Sequence, residues 1–325
     1  MSKNKNCLIV LLCIALLIPL AICLSGSTEP ENEEKKHPLT ASLTTSVPIP
    51  SHITFCGREI ELDRLDIRER FDREINAMTY LHSTTMLYIK RANRYFPIIE
   101  PILKKYDIPE DFKYLCVIES GLDTRALSPV KAAGLWQFME QTAKKYGLEI
   151  RDGVDERYHI EKSTEAACRY FLDAYKLYGN WANVAASYNA GVARISSAMR
   201  QQQVESAFDL LLVSETSRYL FRMMAAKEIF SNPKKYGFSL KKTDLYPPVE
   251  VDWVDVRNTI PDLTVFAKQY GLNYMQLKDY NVWLRDTALV TPKQGNKVYR
   301  IAIPRKDDLY YDKKQIRIYD KAWID

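Results

Sequence analysis

Asp111-Phe-Lys-Tyr-Leu-Cys-Val-Ile-Glu-Ser120 reads as a helix that carries an acid where a core residue belongs. Residues three, four and seven apart share one helix face, so Glu119 lies on the stripe of Phe112, Leu115 and Cys116. Burial disfavours the ionised form of a carboxyl and raises its pKa, which keeps a proton donor ready near neutral pH. Read alone, the segment also fits a structural glutamate at a helix end, paired with a basic side chain.

Helical periodicity extends on both sides of this stretch. Ile67, Phe71, Ile75 and Met78 form an i, i+4, i+8, i+11 stripe; Pro97 can open a helix through Lys105, and Pro109 another that ends near Glu119. Residues 166–178 are stopped by Gly179, and residues 215–230 by Asn232-Pro233. No strand-like alternation interrupts this region for long, and the helices keep no fixed period. Residues 56–240 are therefore expected to form one all-helical domain, not a solenoid. After Tyr246-Pro-Pro248 the pattern changes. Val249-Glu-Val-Asp-Trp-Val254 alternates as a strand, residues 261–270 and 274–280 read as helices, and Val298-Tyr-Arg-Ile-Ala-Ile-Pro304 closes as a strand. The expected fold class is mainly α, with a small α+β (βααβ) module over residues 246–305 and a tail over 306–325.

The N-terminus reads as an address. Lys3 and Lys5 precede an apolar run from Cys7 to Leu24, so residues 1–27 fit a bacterial export signal, a lipoprotein signal or a membrane anchor. Ile22 is bulky where a small residue would precede a lipidated Cys23, and the run is near the lower limit for spanning a bilayer. Residues 28–55, rich in Ser, Thr, Pro, Glu and Lys, read as a flexible linker. The protein is expected to be exported to the cell envelope, periplasmic and anchored to a membrane through its N-terminal segment.

Composition excludes several classes of function. The net charge of +5 comes from 46 basic and 41 acidic residues that are interspersed, so nucleic acid is not expected as a partner. The four histidines have no ligand spacing, and neither CxxC nor HExxH occurs, so no metal and no cofactor is expected. Three of the six cysteines fall in the N-terminal segment. Cys56, Cys116 and Cys168 are odd in number and far apart, which argues against a disulfide framework; the latter two read as small core residues. A monomer is expected.

Three polar segments follow Glu119. In Ser128-Pro-Val-Lys-Ala-Ala-Gly-Leu-Trp-Gln137, Ser128 and Gln137 offer neutral donors and acceptors suited to hydroxyl and acetamido groups. Leu135-Trp136 can wall a sugar face, and Gly134 lets backbone approach closely. In Ala185-Ala-Ser-Tyr-Asn-Ala-Gly191, Tyr188 and Asn189 add a phenol and an amide before a sharp exit at Gly191. Each has a plainer alternative: Trp136 as core, Ser128-Pro129 as a helix start, Asn-Ala-Gly as a helix stop.

Taken in order, Glu119-Ser120, Ser128, Gly134-Leu-Trp-Gln137 and Ser187-Tyr-Asn-Ala-Gly191 resemble the soluble-type lytic transglycosylases of glycoside hydrolase family 23, whose fold is lysozyme-like. The likeness covers roughly residues 80 to 230, and the segment Glu215-Thr-Ser-Arg-Tyr219 with the export signal resembles a membrane-bound member. Lys131 stands where the family usually has glycine, and Trp136 where many members carry methionine. Residues 263–281 and the ending Ile301-Ala-Ile-Pro304 resemble a LysM module, which binds N-acetylglucosamine chains, except that Asn258-Thr259 replaces the usual Gly-Asp pair.

The resemblance implies that peptidoglycan glycan strands are the substrate and that Glu119 protonates the β-1,4 bond between N-acetylmuramic acid and N-acetylglucosamine. The muramic C6 hydroxyl then closes on C1 to give a 1,6-anhydro end. It implies that Ser128 contacts the acetamido or glycosidic region, that Gln137 orients the sugar, and that Tyr188 and Asn189 hold Glu119 and the ring. It also implies Tyr219 and Glu215 for the cleft wall, beside the sugar-facing wall read for Trp136. No acid lies between Asp123 and Glu140, so one carboxyl acts as acid and then as base, where ordinary glycosidases use two. A lysozyme-type hydrolase and a non-catalytic wall-binding protein are the alternatives.

Overall fold

The computed structural model describes residues 45–292, 297–312 and 316–324. The expected export signal, and the expected linker up to residue 44, lie outside the described residues. No helix among the described residues is long and apolar enough to cross a membrane.

The described residues begin their secondary structure with a hairpin. β1 (His52–Phe55) pairs antiparallel with β2 (Arg58–Glu61) across Cys56 and Gly57, whose φ values of 48° and 75° suit a two-residue turn that matches strand twist. Ile53 and Phe55 alternate into the core, so the stretch expected as linker ends in a strand because it has apolar residues at period two. The stripe at residues 67–78 becomes α1 (Leu65–Tyr80), which buries Ile67, Phe71, Ile75 and Met78. α2 (His82–Lys105) follows at once and contains Pro97 and Pro101 in its interior. Pro97 therefore does not open a helix. An interior proline costs roughly 3 kcal/mol. Full burial of Ile89, Phe96, Ile99 and Leu103 on the same helix, at ~1.5–3 kcal/mol each, outweighs that cost.

A 3-10 turn (Glu110–Phe112) leads into α3 (Lys113–Ser120), which Gly121 ends in the left-handed region. α4 (Glu140–Lys145) is short, and a small ladder, β3 (Ile150–Arg151) with β4 (Val154–Asp155), precedes α5 (Ile160–Tyr178). The region expected to be all-helical is thus mainly helical, with two short ladders. α6 (Trp181–Ala190) begins where Asn180 Oδ1 accepts from the Ala182 amide, and α7 (Val192–Gln202) follows Gly191. α8 (Ser214–Ser231) packs on α1, α3 and α6 and forms the spine of the core. Cys116 and Cys168 are buried, free thiols.

The module has the βααβ order read from its sequence. β5 (Val251–Val256) pairs antiparallel with β6 (Tyr299–Pro304), Val251 facing Pro304 and Val256 facing Tyr299. Between them lie α9 (Leu263–Gln269), capped by Asp262, and α10 (Tyr274–Tyr280), opened by a capping box of Asn273 and Gln276. Leu263, Ala267, Leu277 and Ile301 are fully buried. Ala133, Val154 and Tyr158 of the helical body join this small core. Backbone bonds from the Asp155 amide to the Trp283 carbonyl and from Arg285 to Gly153, both 2.9 Å, stitch the module to the body. The expected tail packs: Ile316 and Trp323 are buried in the helical core.

Candidate active site

Leu115 and Cys116 on α3 are wholly buried, and one turn later Glu119 reaches the partly exposed end of the same face. The Tyr219 hydroxyl, on the buried face of α8, donates to Glu119 Oε1. Glu119 Oε2 has no hydrogen-bond partner among the described residues, which leaves that oxygen to carry the proton. Burial pushes the Glu119 pKa above the usual carboxylate value; the Tyr219 bond and the Arg222 charge pull it down, and Glu215 pushes it up. Burial, followed by the field of Glu119, also raises the Tyr219 and Tyr188 phenols, so both stay protonated donors.

Glu215, Tyr219 and Arg222 occupy i, i+4 and i+7 on α8 and thus share the face turned to α3. Arg222 Nη2 donates to the Ile118 carbonyl at 3.0 Å and fixes the turn that carries Glu119. Sequence reasoning missed Arg222, although its spacing from Glu215 and Tyr219 held the signal.

The loop over residues 121–139 is shaped by its own bonds. The amides of Gly121 and Leu122 return to Val117 and Cys116, and Ser120 Oγ donates to the carbonyls of Cys116 and Leu135, both 2.9 Å. Asp123, two residues past the Gly121 end of α3, accepts from the Arg125 amide and pairs with Arg91 at 3.5 Å. Ser128 Oγ accepts from the Ala132 amide at 3.0 Å and closes a turn. Gln137, at φ 48°, donates to the Gly134 carbonyl at 2.8 Å and the Ala126 carbonyl at 3.3 Å. Gly134 is obligatory, because a Cβ there would meet the Arg157 carbonyl oxygen at 2.0 Å. Lys131 adopts φ 65°, a conformation that favours glycine, and its carbonyl accepts from Arg157 Nη1 at 2.8 Å.

Trp136 corrects the sequence reading. Its side chain is fully buried, its indole N–H donates to Thr164 Oγ1 at 2.9 Å, and its ring packs edge-on to Phe171. The indole is core, and only its backbone faces the site: the Tyr188 hydroxyl donates to the Trp136 carbonyl at 2.6 Å. Tyr188 packs against Phe138, Tyr170 and Phe171. Asn189, half-buried on the last turn of α6, makes no side-chain hydrogen bond among the described residues, and Gly191 at φ 86° turns the chain away. The structure therefore gathers Glu119, Tyr219, Tyr188, Arg222 and Glu215 in one electrostatic group. Ser128 and Gln137 shape the following loop, and neither they nor Asn189 bonds to Glu119. No group of three or more His, Cys, Asp or Glu able to hold a metal occurs among the described residues.

Two family models match segments of the chain. Residues 96–211 match the transglycosylase SLT domain, and residues 252–307 match the soluble lytic transglycosylase C-terminal LysM-like domain. The chain is 30% identical over 254 residues to membrane-bound lytic murein transglycosylase D of Escherichia coli (strain K12), covering 72% of this chain and 52% of that protein. A putative tributyltin chloride resistance protein of Alteromonas sp. (strain M-1) is 30% identical over 121 residues, covering 37% of this chain and 58% of that one. The chain thus spans about half the length of the curated relatives it matches. The 70 kDa soluble lytic transglycosylase of Escherichia coli aligns with a TM-score of 0.37 at 21% identity, over 42% of this chain and 24% of that one. The chain carries an SLT-family lytic transglycosylase domain followed by a C-terminal LysM-like module.

Proposed function

We propose that this protein is a peptidoglycan lytic transglycosylase that cleaves the β-1,4 bond between N-acetylmuramic acid and N-acetylglucosamine and leaves a 1,6-anhydromuramic end. The observation that carries the reading is Glu119: its pKa is raised by burial, Oε1 is held by Tyr219, and Oε2 is free to present a proton. Glu119 protonates the glycosidic oxygen as the C1–O bond breaks, and its electron pair leaves with the departing sugar. The C6 hydroxyl of the muramic ring attacks the oxocarbenium-like C1, and its proton passes to the Glu119 carboxylate. The acid is regenerated, and no water is consumed.

Tyr219, kept protonated, donates to the Glu119 carboxyl throughout this cycle, and Tyr188, likewise protonated, donates to the Trp136 carbonyl and holds the chain beside the acid. Ser128, Gln137 and Asn189 are assigned to the sugar through the loop and helix end that bear them. The N-terminal segment read as an export signal supports action in the bacterial envelope, at a membrane. A hydrolytic reading rests on Glu215, the second carboxylate whose field Glu119 feels.

Mass spectrometry of muropeptides released by wild type and by Glu119→Gln decides among these. Anhydro-ended products from wild type, falling about a thousandfold in the variant, are expected. Products one water heavier would instead assign a hydrolase, and release unchanged in Glu119→Gln would overturn the role of this residue.

A further inference from the structure

The acid-bearing helix α3 is eight residues long and ends at Ser120, the residue after Glu119. Helix ends leave carbonyls without intrahelical partners, and they fray unless other groups bond them. This end is tied down from within and from outside. The amides of Gly121 and Leu122 return to Val117 and Cys116, and the Asp123 amide donates to the Ser120 carbonyl at 3.1 Å. Arg222 reaches the Ile118 carbonyl from α8. Arg91 reaches the same end from α2: its Nη1 donates to the Gly121 carbonyl at 3.0 Å, and its Nη2 lies 3.5 Å from Asp123 Oδ2.

Tyr88, one turn before Arg91 on the same face of α2, packs so closely on Gly121 that a Cβ there would meet its ring at 2.2 Å. Ring and guanidinium thus hold the Cα and the carbonyl of one residue, two positions from the acid. The Arg91 side chain is only 25% exposed, so water competes little for these bonds. The two arginines act differently on Glu119. Burial, Tyr219, Arg222 and Glu215 move its pKa, and Arg91 is not among these influences. What Arg91 grips is the backbone that follows the acid. That backbone sets where Glu119 Oε2 points, and a misplacement of about 1 Å costs roughly a hundredfold in rate.

We propose that Arg91 is a positioning residue of the cleavage centre, which holds the end of α3 through the Gly121 carbonyl and the Asp123 carboxylate and so aims Glu119 at the glycosidic oxygen. The inference rests on the acid role proposed above for Glu119. It requires an effect of Arg91 on the chemical step and none on the charge balance of the acid.

Steady-state kinetics of the full chain on soluble peptidoglycan strands test this, with wild type, Arg91→Gln and Arg91→Lys. In Arg91→Gln, kcat is expected to fall about ten- to hundredfold while KM stays within about twofold. The alkaline limb of kcat/KM should stay where it is in wild type. Arg91→Lys keeps the charge and one of the two bonds, so it should recover about half of the loss on a logarithmic scale. Amide hydrogen exchange at Gly121 and Leu122 should quicken at least about tenfold in Arg91→Gln, a readout that needs no turnover. Thermal melting checks that the variants fold, and Arg91→Lys is read in the same ways if Arg91→Gln does not. An unchanged kcat overturns the proposal. So does a rise in KM alone, which would make Arg91 a substrate-binding residue, or a shifted limb, which would make it act through charge. Wild type that releases no muropeptides would sink the enzymatic reading and this inference with it; active wild type with an equally active Arg91→Gln would sink this inference alone.

Discussion

Opposing influences act on one carboxyl group. Burial and Glu215 favour the protonated form of Glu119, while the Tyr219 hydroxyl and the Arg222 charge favour the anion, and the balance lies above the ordinary carboxylate range. A general acid loses activity as pH rises through its pKa, so the alkaline limb of kcat/KM reports this balance. Tyr219→Phe removes the bond that stabilises the anion, so the pKa rises further and the limb moves to higher pH. The loss of orientation should also lower kcat about ten- to hundredfold, since a hydrogen bond to a charged group contributes roughly 1.5–3 kcal/mol. Glu215→Gln removes a repelling charge and moves the limb the other way, by less, because Glu215 is exposed. Limbs that shift in the same direction in both variants would show that these side chains do not set the acid through its charge. The acid itself was legible in the sequence because helical periodicity alone puts Glu119 on the face of Leu115 and Cys116. Its partners were less so: Tyr219 and Arg222 lie about a hundred residues away and meet it only through the packing of α8 on α3.

The loop after α3 shows where periodicity stops being informative. In a helix, position fixes direction; in residues 121–139, Leu122, Lys131, Gly134 and Gln137 all have positive φ, and each redirects the chain beyond it. Trp136 reads equally as wall or core from sequence, and only the turn at Gly134 directs its indole to Thr164. The same turn makes Gly134 predictable in its effect. A Cβ there clashes with backbone, the Arg157 carbonyl, which no rotamer change relieves; at Gly179, φ 58°, a Cβ meets nothing within 4 Å. Gly179→Ala should cost about 1 kcal/mol of stability, the left-handed penalty alone. Gly134→Ala should cost clearly more and also reduce activity, because the Ser120 bond to Leu135 ties this turn to the residue next to Glu119. Urea denaturation compares the two directly, and equal midpoints would refute the close approach at Gly134.

At the scale of the whole molecule, the module is held at both of its chain ends. The chain leaves the helical body near Tyr246, forms the βααβ unit, and returns over residues 316–324. Asn93 on α2 grips both passages: Nδ2 donates to the carbonyls of Tyr246 and Arg317, and Oδ1 accepts from the Tyr319 amide at 2.8 Å. Lys113 Nζ, in turn, donates to Glu100 and to the Tyr319 hydroxyl at 3.0 Å. The returning segment reads as a tail because its few apolar residues have no local period; the partners of Trp323, Phe96 and Phe230, lie more than ninety residues back. Trp323 packs edge-on to both rings, and its indole N–H donates to the Phe230 carbonyl at 2.8 Å. Two units joined at both ends and sharing a core with Ala133, Val154 and Tyr158 should unfold together. Wild type is therefore expected to melt in one calorimetric transition. Trp323→Ala leaves a cavity between Phe96 and Phe230 and should cost about 3–5 kcal/mol. That loss falls on the body and on the return anchor together, so the module should begin to melt as a separate, earlier step. Two resolved transitions in wild type, or a Trp323→Ala melt superimposable on it, would mean that the return over residues 316–324 does not bind the two units into one cooperative fold.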